Sequence, residues 1–414
     1  MPNSHDSPKY FFLFVATYLL DEIGNSKIGV GLTVPLLIIM LGVLNCRSFF
    51  SSGMPLGKSR YVLLFIVLSA YQVFSVALAP ADCTADSKFL TSLLIALFLA
   101  WSLVWVRPDQ VLISERGSRW LLYAMTGALL LAWSGLDVMT LTGTDTRIKS
   151  GFYLEPSHLA LHILPLIAYR LLTNARDKLA IGATMVAFCI VPSATLAVGV
   201  MAIAGLLFYM KTRSLLLRLG LPLLALAFVS VASAQVGVNP ILDRISGVIH
   251  YDPNAITNLS SVVWLNGWSQ AYDHWMQSYG AGVGINQMGC GALEAAGFMA
   301  PWMRVNVGAY LNYNDGSFLI AKVVSEFGVV GLFASLLFTL KAVMSLFNLI
   351  GLSQSNATIS ELKLSRAVSC ASGGIVLLVL MYVRNTSYFS FPVILCVCLL
   401  LRSEGAWMRK RLNI

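Results

Sequence analysis

Charge is what this sequence has least of. Only 11% of its 414 residues are Asp, Glu, Lys or Arg, where a soluble domain carries roughly 25%. That shortage excludes a water-soluble enzyme of ordinary type. Cysteine is sparse as well, and the seven present form neither a disulfide framework nor a zinc-ligand pattern. Neither half of the chain repeats the other, so the internal symmetry of many transporters is missing. His158 and His162, four apart, lack the His-Glu-x-x-His arrangement of a zinc enzyme and read better as polar residues packed inside a helix bundle.

Long apolar runs stand where the charges do not. Hydrophobic residues make up 57% of the chain, and the mean hydropathy is +0.76. A membrane-spanning helix needs about 20 mostly apolar residues. Segments 10–20, 28–44, 61–79, 89–106, 120–139, 156–171, 179–191, 193–210, 219–234, 317–340, 367–383 and 388–402 qualify or nearly qualify. The first is followed by Asp21 and Glu22 without a small-residue cleavage site, so it reads as a retained helix and not a signal peptide. Bases flank residues 179–210 at both ends, which places both ends in one compartment and predicts two short helices turning at Val191-Pro192-Ser193. The expected fold is an all-α polytopic membrane protein with about twelve transmembrane helices.

The net charge of +9 then has a topological explanation. With both termini inside, 20 Lys and Arg against six acids leave the cytoplasmic segments at +14, while seven bases and twelve acids leave the outer segments at −5. Lys322 and Glu326 lie one helical turn apart within one span, a spacing that suits an ion pair. Bases concentrated inside are the usual orientation signal, so nucleic acid is not needed to account for them. Only Cys83 and Cys290 face the oxidising side on this map, where a disulfide between them is the minority reading.

Three regions follow: helices one to nine with short loops over 1–234, a large outer loop over 235–315, and helices ten to twelve with a basic tail over 316–414. A loop of this length usually has structure or function of its own. It holds Arg244 and Arg304, cations in otherwise acidic surroundings, with His274 and Asp315 as titratable groups. Trp264, Trp268 and Trp275 can stack on sugar faces, although tryptophans also form the ordinary belt at a membrane surface. Aromatics at 264, 268, 272 and 275, with Gln270, Asp273 and His274 between them, predict an amphipathic helix lying on the outer surface. Earlier in the chain, Pro156 suits the first turn of a helix, and Glu155 places a carboxylate at its positive end near Arg147 and Lys149. Such a cluster can hold an anionic group or simply anchor a helix end.

One set of motifs is shared with a known family. Arg147-x3-Gly151-x3-Glu155-Pro156-Ser157 is followed by Gly280-Ala-Gly-Val-Gly284, then Asn314-Asp-Gly-Ser-Phe-Leu and Ser325-Glu-Phe-Gly328-Val-Val-Gly331. In these motifs and in its layout the chain resembles the Wzy-type O-antigen and capsular polysaccharide polymerases, in the wider family that includes O-antigen ligases. The resemblance implies a periplasmic glycosyltransferase of the bacterial inner membrane, using no metal or other cofactor. Its substrate would be an undecaprenyl-diphosphate-linked oligosaccharide, and its partner a chain-length-regulating co-polymerase. Arg147, Arg244 and Arg304 would then stabilise the diphosphate leaving group. Glu155, His274 or Asp315 would take the acceptor hydroxyl's proton, and the three tryptophans would bind sugar. Where relatives carry an Arg ahead of the glycine turn, this chain has Trp264. Where ligase-like relatives carry a His it has Tyr313, Asn314, Asp315 and Ser317, which leans against a ligase. A ligase moving finished glycan to an acceptor is the alternative enzyme, and a transporter or lipid-linked oligosaccharide flippase is the alternative outside catalysis.

Overall fold

A computed structural model describes residues 56–79, 87–105, 115–137, 140, 150–153, 155–212, 259–290, 297–355, 361–385 and 387–400. Among the described residues the chain is all helical, with no strand beyond an isolated bridge between Ser150 and Tyr153. The helices are α1 (Leu56–Leu78), α2 (Ser87–Trp105), α3 (Glu115–Trp133), α4 (Pro156–Thr173), α5 (Lys178–Ile190), α6 (Ala194–Lys211), α7 (Leu259–Gln277), α8 (Ala300–Val307), α9 (Leu319–Gln354), α10 (Glu361–Tyr382) and α11 (Phe391–Leu400). Ala194–Lys211, Leu319–Gln354 and Lys363–Tyr382 are long and apolar enough to cross a membrane. Expected segments 10–20, 28–44 and 219–234 lie outside the described residues, while each of the other nine overlaps a helix in its described part.

α4 is the centre of the bundle and packs against α3, α5, α6 and α10. Every residue from Leu159 to Ala168 is buried, so this stretch, apolar except for His162, has no solvent face. Within it the buried His162 is satisfied by the His158 carbonyl at 2.8 Å, and the charged groups stand at its ends. At the last turn Arg170 is ion-paired with Asp177, whose carboxylate also caps α5 by accepting a hydrogen bond from the Ala180 N–H at 2.9 Å. The break expected at residues 191–193 is there, between α5 and α6.

α9 differs from its expected span in two ways. The helix continues past Lys341 to Gln354, since residues 342–354 contain no proline and only one glycine to stop it. It is also broken at Gly328, where φ 53° and ψ −133° leave the helical region. From Val329 onward, Phe333, Leu336, Leu337, Leu340, Met344 and Phe347 form an exposed apolar stripe at helical spacing. Such a stripe suits contact with lipid.

The break is closed by the glycine-rich turn. The N–H groups of Val283 and Gly284 donate to the carbonyls of Ser325 and Glu326, each at 3.0 Å, and the Val329 N–H donates to the Gly280 carbonyl at 2.8 Å. Tyr71 and Ser75 on α1 donate their hydroxyls to the Ala281 carbonyl at 2.8 and 2.9 Å. Gly282, at φ +83°, approaches so closely that an added Cβ would overlap the backbone of Glu326 and Gly328. The reciprocal holds at Gly328, where a Cβ would overlap the backbone of Gly280, Ala281 and Gly282.

α7 covers the predicted amphipathic segment but presents it the other way round. Asn266, Gln270 and His274, one turn apart, are buried, while Tyr272 and Met276 are exposed. The polar groups turn inward because they are used there: Gln270 Nε2 donates to the Tyr313 carbonyl at 2.9 Å, and His274 Nδ1 pairs with Ser325 Oγ on α9. Replacing Gly328 or Gly282 with Ala is expected to destabilise the protein by about 2 kcal/mol or more, combining left-handed strain with overpacking. Melting in detergent checks this, with Gly205→Ala as the control, because nothing lies within 4 Å of a Cβ there.

Candidate functional site

Charged side chains from distant parts of the sequence meet where α4 begins, α9 begins and α10 has just ended. Glu155 is the N-cap of α4, with Pro156 behind it, as the sequence predicts. Its carboxylate makes no capping hydrogen bond to the helix amides. Oε2 instead accepts from Arg384 Nη2 at 3.1 Å and from Ser157 Oγ at 3.1 Å, and lies 3.7 Å from His158 Nε2. Glu155 is about half exposed, at 52%, whereas Arg384 beneath it is 16% exposed.

Asp315 belongs to the same neighbourhood. The turn that carries it is held from both sides: Lys322 Nζ donates to the Asn314 carbonyl at 2.7 Å, and the Asn385 N–H donates to the Ser317 carbonyl at 2.8 Å. Asp315 itself accepts from the Ser317 N–H at 2.8 Å. Lys322 and Arg384 are thereby both near enough to act on its charge.

The two carboxylates are tuned in opposite directions. Burial pushes the Asp315 carboxyl up, and Arg384, the Ser317 N–H, Lys322 and His158 only partly offset it, so its proton is held more tightly than usual. Burial also acts to raise Glu155, but there the charges of His158 and Arg384 and the hydrogen bonds from Ser157 and Arg384 win, leaving it below the usual carboxylate range. One group is thus a stronger base than an ordinary carboxylate and the other stays ionised.

Beneath this pair lies a second, buried layer. Lys322 and Glu326 form the expected ion pair at 2.8 Å, and both side chains are almost completely buried. Glu326 also accepts from the Asn286 N–H at 2.8 Å and the Met288 N–H at 3.3 Å, while Lys322 sits 5.4 Å from the centre of the Tyr388 ring. These partners bring the glycine turn and the chain after α10 onto the first two turns of α9. Cys290, at the end of that turn, is disulfide-bonded, with its partner outside the described residues.

The remaining predicted site residues are dispersed. Arg147 and Arg244 lie outside the described residues. Arg304 is exposed on α8, a helix anchored by the packing of Met303 against Val262, Val263 and Leu265 of α7. His274 is fully buried on α7, and burial lowers its pKa to about 3. Trp264 stacks on Phe318 and donates its Nε1–H to the Tyr382 carbonyl at 2.8 Å, and Trp268 tilts against the same Phe318 at 4.9 Å. Both rings therefore spend a face on the protein, whereas Trp275 lies beside Gly280. Arg384 is the site residue that sequence reasoning missed; the only signal for it was its place among seven outer bases.

Comparison with known proteins adds no relative. No family model matches the chain, and no curated protein matches it.

His274 makes stability depend on pH. Its ordinary pKa of 6.5 falls to about 3 in the fold, so the unfolded chain binds the extra proton between those values. The stabilisation is fully present above about pH 6.5 and is lost as pH falls towards 3. Lowering the pH from 7.5 to about 5 is therefore expected to lower the melting temperature, and His274→Asn to flatten that dependence. A wild-type melting curve insensitive to pH in this window, under identical detergent conditions, would contradict the assignment.

Proposed function

We propose that this protein is a polysaccharide polymerase of the bacterial inner membrane, acting on undecaprenyl-diphosphate-linked oligosaccharide repeats at the periplasmic face, with both termini cytoplasmic. The observation that carries the reading is the convergence of Glu155, Asp315 and Arg384 from three separate elements at one end of an apolar helix bundle. Two of the three lie in the motifs that give the chain its resemblance to the Wzy-type family. The disulfide at Cys290 supports an oxidising compartment for that end.

The chemistry joins the growing glycan to the hydroxyl of a fresh lipid-linked repeat. The hydroxyl oxygen attacks the anomeric carbon, the bond from that carbon to the lipid diphosphate breaks, and the diphosphate leaves with the electron pair. Asp315 takes the hydroxyl proton; its raised proton affinity suits a general base better than the ionised Glu155 does. Arg384, with Arg147, Arg244 and Arg304 as further candidates, stabilises the charge that develops on the diphosphate. Glu155 rests on Arg384 until substrate arrives, and His274 is a structural residue of the α7–α9 contact in this scheme.

The buried Lys322–Glu326 pair favours a transporter as the second reading, because ionisable groups at membrane depth often mark transport paths. The polymerase, ligase and flippase readings differ in what a deletion strain makes. With the rest of the pathway intact, loss of a polymerase leaves surface glycan with a single repeat, loss of a ligase leaves polymer on the carrier lipid, and loss of a flippase leaves no repeat outside. Asp315→Asn is expected to reduce the ladder by about a hundredfold or more in rate. Arg384→Ala should also cost far more than Arg411→Ala in the basic tail at equal protein level. A normal ladder in the deletion strain, or equal ladders in all three variants, would overturn the reading.

A further inference from the structure

The geometry points to Arg384 as the seat of an oxyanion that Glu155 now occupies, so that Glu155 is an internal competitor the ligand must displace. The argument starts from an asymmetry. The guanidinium is the deeper partner, at 16% exposure, and the carboxylate lies over it on the accessible side at 52%. An anion arriving from solution would meet Glu155 before it met Arg384.

The contact between them is also incomplete. A guanidinium offers a planar fork that matches two oxygens of a carboxylate or phosphate. Here a single Nη2 to Oε2 bond is made, at 3.1 Å. That same Oε2 carries the bond from Ser157 and the approach of His158. Three groups able to hold an oxyanion, Arg384, His158 and the Ser157 hydroxyl, thus face one carboxylate oxygen. They would face a phosphate oxygen equally well if the side chain swung out.

Among the described residues no other bond holds the Glu155 carboxylate, although the Glu155 carbonyl accepts from the His158 and Leu159 N–H groups at 3.1 and 3.2 Å. Glu155 is the N-cap of α4 yet its side chain makes no hydrogen bond to the helix amides, so rotating the carboxylate away breaks no cap. Arg384 has a reason to stay. Its neighbour Asn385 is buried and bonded to the Ser317 carbonyl, which fixes the backbone beside it. The carboxylate, more exposed and bound to no helix amide, is the member able to turn out, and the more buried guanidinium is the member that stays.

The ligand class is a phosphate or diphosphate group. The lipid-linked form rests on the polymerase reading, whereas the displacement itself does not. Binding to purified protein in phosphatidylcholine nanodiscs separates them, with inorganic pyrophosphate and farnesyl diphosphate as the two probes and calorimetry as the readout. Glu155→Gln is expected to tighten binding by about fivefold, the size appropriate to a half-exposed ion pair. Arg384→Ala should abolish binding, and Arg384→Lys should keep part of it. Comparable affinity for both probes identifies a free phosphate group as sufficient, and binding of farnesyl diphosphate alone identifies a lipid-linked one.

Unchanged or weaker binding in Glu155→Gln would overturn the proposal, because Glu155 would then belong to the site and not compete for it. So would failure of both probes to bind wild type and Glu155→Gln. If Glu155→Gln does not fold, Glu155→Asp, which draws the carboxylate back by one methylene, is expected to tighten binding in the same direction. Glycan ladders play no part in these measurements. Tightened binding beside a normal ladder in the deletion strain therefore removes the polymerase and keeps the site, and the opposite pair of results does the reverse.

Discussion

A helix broken near a membrane must give its freed backbone groups new partners, and that requirement organises this end of the molecule. At Gly328 the carbonyls of Ser325 and Glu326 and the N–H of Val329 are all taken up by the turn from Gly280 to Gly284. The Phe327 carbonyl accepts from the Tyr71 hydroxyl at 3.1 Å, so the accounting runs on into α1. Two glycines in contact, Gly282 and Gly328, are what let the segments approach to hydrogen-bonding distance. Once the turn is seated, its next amides, at Asn286 and Met288, point at the Glu326 carboxylate. A buried charge that would otherwise be costly thus has Lys322 on one side and two N–H donors on the other.

The active chemistry proposed for this chain sits one layer further out, and the inner layer positions it. Lys322 serves both layers: it neutralises Glu326 and holds the Asn314 carbonyl, one residue before Asp315. Such a pair contributes little to net stability once desolvation is counted, and its value here is geometric. It fixes the turn that carries Asp315 relative to α9.

What could be read in the sequence was what depends on neighbours in the chain. Pro156 after Glu155 marks a helix start because proline lacks the N–H that the first turn leaves unused anyway. Lys322 and Glu326 meet because four residues make about one turn. Flanking bases correctly separated α5 from α6. What could not be read depends on contacts across the chain. Arg384 has no motif around it, and its partner is 229 positions away. The break at Gly328 looks from sequence like any small residue in a span, because the glycine turn that requires it begins 48 positions earlier, at Gly280. The face of α7 was misread for the same reason. Gln270 and His274 look like a water-facing side until Tyr313 and Ser325 supply their partners.

The three carboxylates of the site show why position and not residue type assigns the roles. Glu326 is enclosed and answered by a lysine and two amides, which ties its carboxylate to the turn and to α9. Glu155 is half exposed and directly bonded to an arginine, which keeps it ionised. Asp315 feels the same arginine without an ion pair to it, and for this group burial prevails over attraction. In the reaction proposed above a carboxylate must hold a proton well enough to draw it from a hydroxyl, yet be free to accept it, and that is the ground for preferring Asp315. Exchanging the Glu155 carboxylate for an incoming anion on a stationary Arg384 would alter both neighbours at once. The ligand's charge would replace that of Glu155 beside the guanidinium, and the guanidinium's pull on Asp315 would be partly screened, raising the basicity of the group proposed as the base.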